Sequence, residues 1–273
     1  KGAVFEHLGP SGIRRYWPEI RGEFVEGMLE HRAGDIDIDA LVLGFRAKLR
    51  AAGAVIATNV GEAPIERAGG FWRVAARDTD YRAPLLVNAA GAWADDVARR
   101  AGVMRRGLTP LRRTVVLMAA PSDHSFRTRP TVFDIDERFY FRPFAGAMLV
   151  TPCDETPCCP CDATPSIEDV ARAAAVHERA LDQPVRRILA RWAGLRTFAA
   201  DRAPILGAAP DAPGFFWAAG LGGFGVQTAP AVGELIAGLI LGGRLRPRLA
   251  RYGVDLGLYD PARTSLTSER ELL

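Results

Sequence analysis

The chain predicts a mixed α/β fold: a part built on parallel strands, carrying a β-hairpin insertion, joined to an antiparallel sheet. Three observations predict it. Pro84-Leu-Leu-Val-Asn-Ala-Ala-Gly91 is a buried-strand run that enters the helical pattern of residues 92–101. Phe215-Phe-Trp-Ala-Ala-Gly-Leu-Gly-Gly-Phe-Gly225 repeats the arrangement of strand, glycine turn and helix. Between them, residues 109–151 break into short strands separated by turn residues, which reads as an antiparallel sheet. Glycine at such a corner removes the Cβ that would block close approach, and the helix start offers unpaired N–H groups. Two such corners point to a bulky, polar nucleotide cofactor.

The elements follow in order. Residues 1–34 hold Pro10, Pro18 and a short helical turn from Ile13 to Ile20, and read as a connecting segment. Asp39 is expected to cap a helix whose apolar positions Leu41, Val42, Phe45 and Leu49 have helical spacing, with Gly53 ending it. A short buried strand is expected at 54–57, then a hairpin from 60–68 to 71–76 around Gly69-Gly70. After the strand at 85–88 comes a helix over 93–101, then strands at 114–119, 131–134, 138–142 and 147–151. Ser166 caps a helix running to about Leu181, and residues 186–193 read as a further helix. In the last helix Pro230 is expected in the first turn, where proline is tolerated. The segment after Arg244 reads as a weakly ordered tail.

Composition excludes several classes. Hydrophobic content of 48% and charged content of 25% are ordinary for a globular protein, and the net charge of +3 is small. The basic residues are almost all arginine and scattered, so no nucleic-acid groove is expected. The longest apolar run, 229–243, contains Glu234 and is too short to span a bilayer. A cytoplasmic location is expected. The four cysteines, Cys153, Cys158, Cys159 and Cys161, have the spacing C-x4-C-C-x-C, with prolines between and no nearby histidine. That is not a zinc-knuckle spacing. A reduced surface loop is expected, with a metal site or a disulfide as alternatives. His7, His31, His124 and His177 are expected on the solvated surface, with no acid–base role.

Gly220, Gly222 and Gly225 satisfy G-x-G-x-x-G by letter, but a dinucleotide unit also needs a second strand ending in an acidic residue about 20 residues on. No acidic residue lies between Glu234 and Asp255. The corner is therefore read as a terminal strand–turn–helix whose N-terminus faces an electron-rich ligand edge.

Leu86-Val-Asn-Ala-Ala-Gly-Ala-Trp93, Trp192-Ala-Gly-Leu-Arg-Thr-Phe198, Asp201-Arg-Ala-Pro-Ile-Leu-Gly207 and the run 213–225 together resemble the D-amino-acid oxidase and glycine oxidase family of flavoproteins. The wording is most similar to its D-arginine dehydrogenase-like branch. The resemblance implies FAD as cofactor and oxidation of the C–N bond of a D-amino acid or related amine by hydride transfer. It implies an FAD-binding domain in two parts, 35–106 and 194–243, a substrate domain at 107–193, and a tail at 244–273. Family members open with a strand, G-x-G-x-x-G and helix that hold the FAD pyrophosphate. The chain lacks that unit, so it is expected to be an N-terminally truncated piece that binds FAD poorly by itself.

The resemblance also implies roles. Arg196 stands where the family places a carboxylate clamp, for which the planar guanidinium is suited; the alternative is an ordinary salt-bridge residue. Tyr140 and Arg142 alternate onto one face of a strand that would line the substrate cavity; otherwise they are cross-strand neighbours. Gly220, Leu221, Gly222, Gly223, Phe224 and Gly225 would set backbone N–H groups beside the flavin. Ala90 and Gly91 would pass close to the cofactor, with Trp93 packing at the helix start. Val60 would contact adenine through its backbone, or else is only a hairpin residue. A competing reading is a non-catalytic remnant or partner-binding subunit of a flavoprotein, and a homo-oligomer is a further expectation.

Overall fold

The computed structural model describes residues 4–77, 79–120, 124–243 and 245–266. In chain order the elements are β1 (Phe5–Leu8), α1 (Pro10–Tyr16), β2 (Gly27–Glu30), α2 (Ile38–Ala51), β3 (Ile65–Ala68), β4 (Phe71–Ala76), β5 (Thr79–Ala83) and β6 (Leu86–Asn88). Then come α3 (Ala94–Arg100), β7 (Thr109–Ala119), β8 (Val132–Phe133), β9 (Tyr140–Phe144), β10 (Ala147–Thr151), β11 (Thr156–Pro157) and α4 (Ile167–Ala180). The chain ends with β12 (Ile188–Phe198), β13 (Ile205–Ala208), β14 (Phe215–Ala219), α5 (Gly225–Gly242) and α6 (Pro247–Ala250). The mixed α/β class is as expected. Two units divide the chain: Lys1–Asp35 with Leu111–Leu195, and Ile36–Pro110 with Arg196–Leu273.

The first unit is built on an antiparallel sheet in the order β11-β7-β10-β9-β8, with β12 also paired to β7. Alternation drives one face inward: Val116 and Met118, Phe141, and Met148 and Val150 are all at most 1% exposed. Val170 and Ala173 of α4 pack on that face, and Trp17 completes it. Trp17 meets Phe141 edge-on at 4.9 Å, and its Nε1 donates to the Pro130 carbonyl at 2.9 Å. The expectation of a connecting segment at 1–34 is corrected accordingly. Its described residues form the antiparallel pair β1–β2 with helix α1 between them, anchored by a buried tryptophan.

Residues 186–193 are not helical: from Ile188 they form β12, because pairing with β7 outweighs a local preference that favours helix. His177 is buried on the inner face of α4, at 3% exposure, with no hydrogen-bond partner on Nδ1. His7 and His31 lie on the surface, and the His124 side chain is outside the described residues. The α4 start is as read: the Ser166 hydroxyl accepts from the Asp169 N–H at 3.1 Å.

In the second unit β14 pairs with β13 antiparallel and with β6 parallel. Trp72, Ala94, Ile205, Phe215 and Trp217 form its core, each at most 2% exposed. The expected hairpin at Gly69-Gly70 is β3–β4, and β5 extends it to a three-stranded meander. Residues 54–57 pair with no strand among the described residues, and Val55 is 76% exposed, so the expected buried strand there is not formed. Asp37, not Asp39, caps α2 by accepting from the Ala40 N–H at 2.9 Å. Val42, Phe45 and Leu49 on that helix are exposed rather than in a core.

Helix α5 starts at Gly225, so Pro230 falls in its second turn and cannot donate to the Val226 carbonyl. The apolar run 229–243, expected to be too short to span a bilayer, lies mostly in this helix, whose 18 residues are, by length and composition alone, enough to cross a membrane. Its Leu235 and Ile236 nonetheless pack with Leu206 and Leu249 in a core cluster. The described part of the tail, 245–266, is anchored rather than loose. Arg263 donates to Asp201 at 2.6 and 2.8 Å and to the Ala203 carbonyl at 2.9 Å. Arg244 and residues 267–273 of the expected tail lie outside the described residues.

Candidate functional site

Both glycine corners lie in the second unit and leave the same end of its sheet. β6 and β14 run parallel with Asn88 opposite Trp217, so Ala90-Gly91 and Gly220-Leu221 lie just past neighbouring strand ends. In sheets of parallel strands that carboxyl end is where ligands sit.

The first corner is stapled by Asn88, which is 2% exposed. Its Nδ2 donates to the Ala94 carbonyl at 2.8 Å and its Oδ1 accepts from the Ala90 N–H at 3.3 Å. Gly91 turns the chain at φ +56°, in the left-handed region that side chains disfavour. A 3-10 turn over Gly91–Trp93 then leads into α3. Asp95, in the first turn of α3, accepts from the N–H groups of Arg106 at 2.9 Å and Leu108 at 2.8 Å. Arg106 in turn donates to Asp211 at 2.8 Å and sits 5.9 Å over the Trp217 ring. These contacts hold the loop after α3 against the corner.

A hollow of about 430 Å³ opens beside it, lined among others by Gly61, Glu62, Ala90, Trp93, Asp96 and Arg100. Asn59 at φ +58° and Gly61 at φ +70° turn the chain at its rim. Nothing lies within 4 Å of a Cβ built on Gly61 or Gly91, so backbone faces open space there. Ala90 and Trp93 therefore line one hollow, and Val60 adjoins it in the chain without lining it. Gly61, Glu62 and Asp96 were not singled out in the sequence; the Asn59-x-Gly61 turn is the signal that could have found the first of them.

The second corner folds over β12. Gly222 donates its N–H to the Thr197 carbonyl at 2.9 Å. It stands at φ +54°, and a Cβ there would lie 2.4 Å from the Phe198 ring. A Cβ on Gly223 would lie 2.7 Å from Arg196 Nη1 and 3.0 Å from its Cζ, so the guanidinium rests against the glycine loop. Phe224 stands at the start of α5 with no side-chain cap, and the first turn holds no acidic residue. The first N–H groups of α5 are therefore left for a partner outside the helix. Arg196 and the 220–225 loop thus occupy one place in the unit.

The first unit holds the other two candidates. Phe141 points into its core while Tyr140 and Arg142 share the opposite face of β9. Tyr140 lies 4.8 Å from the Phe133 ring, and the Arg142 guanidinium pairs with Asp35 and sits 5.5 Å over the Phe144 ring. Among the described residues no group of three or more His, Cys, Asp or Glu is placed to hold a metal.

A family model described as "DAO: FAD dependent oxidoreductase" matches residues 1–239. The chain belongs to the DAO family of FAD-dependent oxidoreductases. Among curated proteins it is similar to mitochondrial sarcosine dehydrogenase of Mus musculus, at 26% identity over 218 residues, covering 72% of the chain and 22% of that protein. The chain thus spans less than a quarter of that relative. Its fold is similar to that of glycine oxidase from Geobacillus kaustophilus, with a TM-score of 0.79 at 22% identity, covering 96% of this chain and 68% of that one. It is also similar to L-proline dehydrogenase from P. horikoshii, with a TM-score of 0.78 at 21% identity, covering 96% and 69%. FAD is the cofactor of the family. The open backbone at Gly61 and Gly91 and the uncapped start of α5 fit a large, electron-rich ring system.

Proposed function

We propose that the protein carrying this chain oxidises the C–N bond of an amino acid, a D-amino acid or a related secondary amine, to an imine that water hydrolyses. FAD, when bound, supplies the hydride acceptor. The observation that carries the reading is the contact of the Arg196 guanidinium with Gly223. A planar cation beside the cofactor loop is what a substrate carboxylate needs to be bound in one orientation. The uncapped N–H groups of α5 suit the negative charge that grows on the flavin edge as it is reduced. Gly61, Ala90 and Trp93 would hold the cofactor's nucleotide side, and Tyr140 and Arg142 would serve the substrate.

The test is turnover of the flavin-loaded gene product on D- and L-amino acids and N-methylated amines, with a dye and with oxygen as acceptors. Amines bearing a carboxylate should be oxidised, and Arg196→Ala should raise their KM. Turnover indifferent to the carboxylate, or to Arg196, sinks this reading.

A further inference from the structure

Four cysteines follow β10, and none is in a disulfide. Two of them meet: Cys158 Sγ lies 3.5 Å from Cys161 Sγ, within Cys158-Cys159-Pro160-Cys161. Cys161 is exposed and Cys158 half-buried, so a small reagent can reach the pair. The surroundings make this proximity a property of the fold. Before the pair, Asp154 is 3% exposed and accepts from the Thr114 N–H at 2.7 Å and hydroxyl at 3.0 Å. Thr156 and Pro157 pair with Arg112 and Leu111 of β7. After the pair, Asp169 at the start of α4 accepts from Arg112 at 2.7 Å. Both ends of the segment are therefore tied to β7, and Pro157 and Pro160 fix φ at two of the positions between.

We propose that Cys158 and Cys161 are a redox-active dithiol that takes low-molecular-weight disulfides as its substrate and closes to an intramolecular disulfide. The sulfurs need to approach from 3.5 Å to about 2.05 Å, a movement that rotation of the two side chains supplies. The hydrogen bond with Cys158 pushes the Cys161 pKa up, which makes Cys161 the poorer first nucleophile, and Cys158 attacks first in the proposed sequence. Its thiolate displaces one thiolate from the small disulfide and forms a mixed disulfide. Cys161 then loses its proton to solvent and attacks the Cys158 sulfur, releasing the second small thiolate. One protein disulfide and two small thiols result from one protein dithiol and one small disulfide. This inference is independent of the flavin chemistry.

The experiment equilibrates the reduced protein with glutathione and glutathione disulfide at graded ratios, followed by alkylation, digestion and mass spectrometry. Two thiols should disappear together, joined in one Cys158–Cys161 link that dithiothreitol reverses. Cys161→Ser should stop the reaction at a glutathione adduct on Cys158, and Cys159→Ser should leave the link unchanged. The proposal is overturned by adducts spread independently over the cysteines, by a link through Cys153 or Cys159, or by no loss of thiols at any ratio.

Discussion

Gly223→Ala should damage substrate binding while leaving the fold intact. The added Cβ would stand 2.7 Å from Arg196 Nη1, about 0.7 Å inside an ordinary 3.4 Å contact. The guanidinium must retreat, and it can, because it is the far end of a flexible side chain. Gly223 is not in the left-handed region, so alanine meets no backbone penalty and unfolding should shift by no more than about 0.5 kcal/mol. The cost falls on the clamp. Losing one of two charge-assisted hydrogen bonds to a carboxylate costs about 1.5–3 kcal/mol. That is roughly 10- to 150-fold in kcat/KM.

Gly222→Ala supplies the control. Its Cβ would press 2.4 Å from the Phe198 ring, 7% exposed, at φ +54°. Overpacking of about 1–3 kcal/mol plus about 1–2 kcal/mol for the left-handed backbone should lower stability outright. The assay compares kcat/KM for an amino acid with that for the amine lacking its carboxylate, and urea midpoints for both variants. Equal losses on the two substrates in Gly223→Ala, or a stability loss matching that of Gly222→Ala, would refute the reasoning.

Arg263→Ala should destabilise the tail by about 1.5–3 kcal/mol, because the Asp201 carboxylate loses its charged partner and keeps only the Ser265 hydroxyl and the Ala203 N–H; faster proteolysis within 245–266 is the measurement. The Arg263 hydrogen bond holds the Asp201 carboxyl well below its usual range. Its stabilisation should therefore be complete above about pH 4 and fade as pH falls further, a decline that Arg263→Ala flattens. Burial pushes the His177 pKa down. Stability should thus be complete above about pH 6.5 and fall as pH drops toward the depressed value, and His177→Leu should remove that slope from urea midpoints measured over the interval. Arg142 and Asp35 pair with their side chains 24% and 69% exposed. Asp35→Asn should shift unfolding by less than about 1 kcal/mol, whereas Arg142→Ala should raise KM for amino-acid substrates several-fold.

What was legible in the sequence was local. Ser166 and Asp169 sit one turn apart, so the cap of α4 is written within four residues. The Gly69-Gly70 turn and the two glycine corners declare themselves in the same way, by letters that only a few backbone shapes use. Apart from local slips such as the cap of α2, which Asp37 rather than Asp39 supplies, what was missed depended on distant partners. Nothing near Trp17 says that its indole will donate to Pro130, 113 residues away. Residues 188–193 carry no strand pattern of their own; β7 makes them a strand. Arg263 looks like one arginine among many until Asp201, 62 residues earlier, is placed beside it.

The candidate site divides along the same line, and Gly222 and Gly223 show why. By letter they are interchangeable members of one glycine run. In the fold, Gly222 is required by its own backbone and by the Phe198 ring, whereas Gly223 is required by the Arg196 guanidinium. The first requirement can be guessed from a tight turn before a helix. The second needs the β12 strand to be laid under the loop, with Thr197 hydrogen-bonded to Gly222 and its neighbours Arg196 and Phe198 both set against the loop. A glycine run therefore announces that backbone approaches something closely, without saying what. Here one of those neighbours is the side chain on which substrate orientation would depend in the proposed reaction, which is why a single methyl group at position 223 is the sharpest probe of the proposed chemistry.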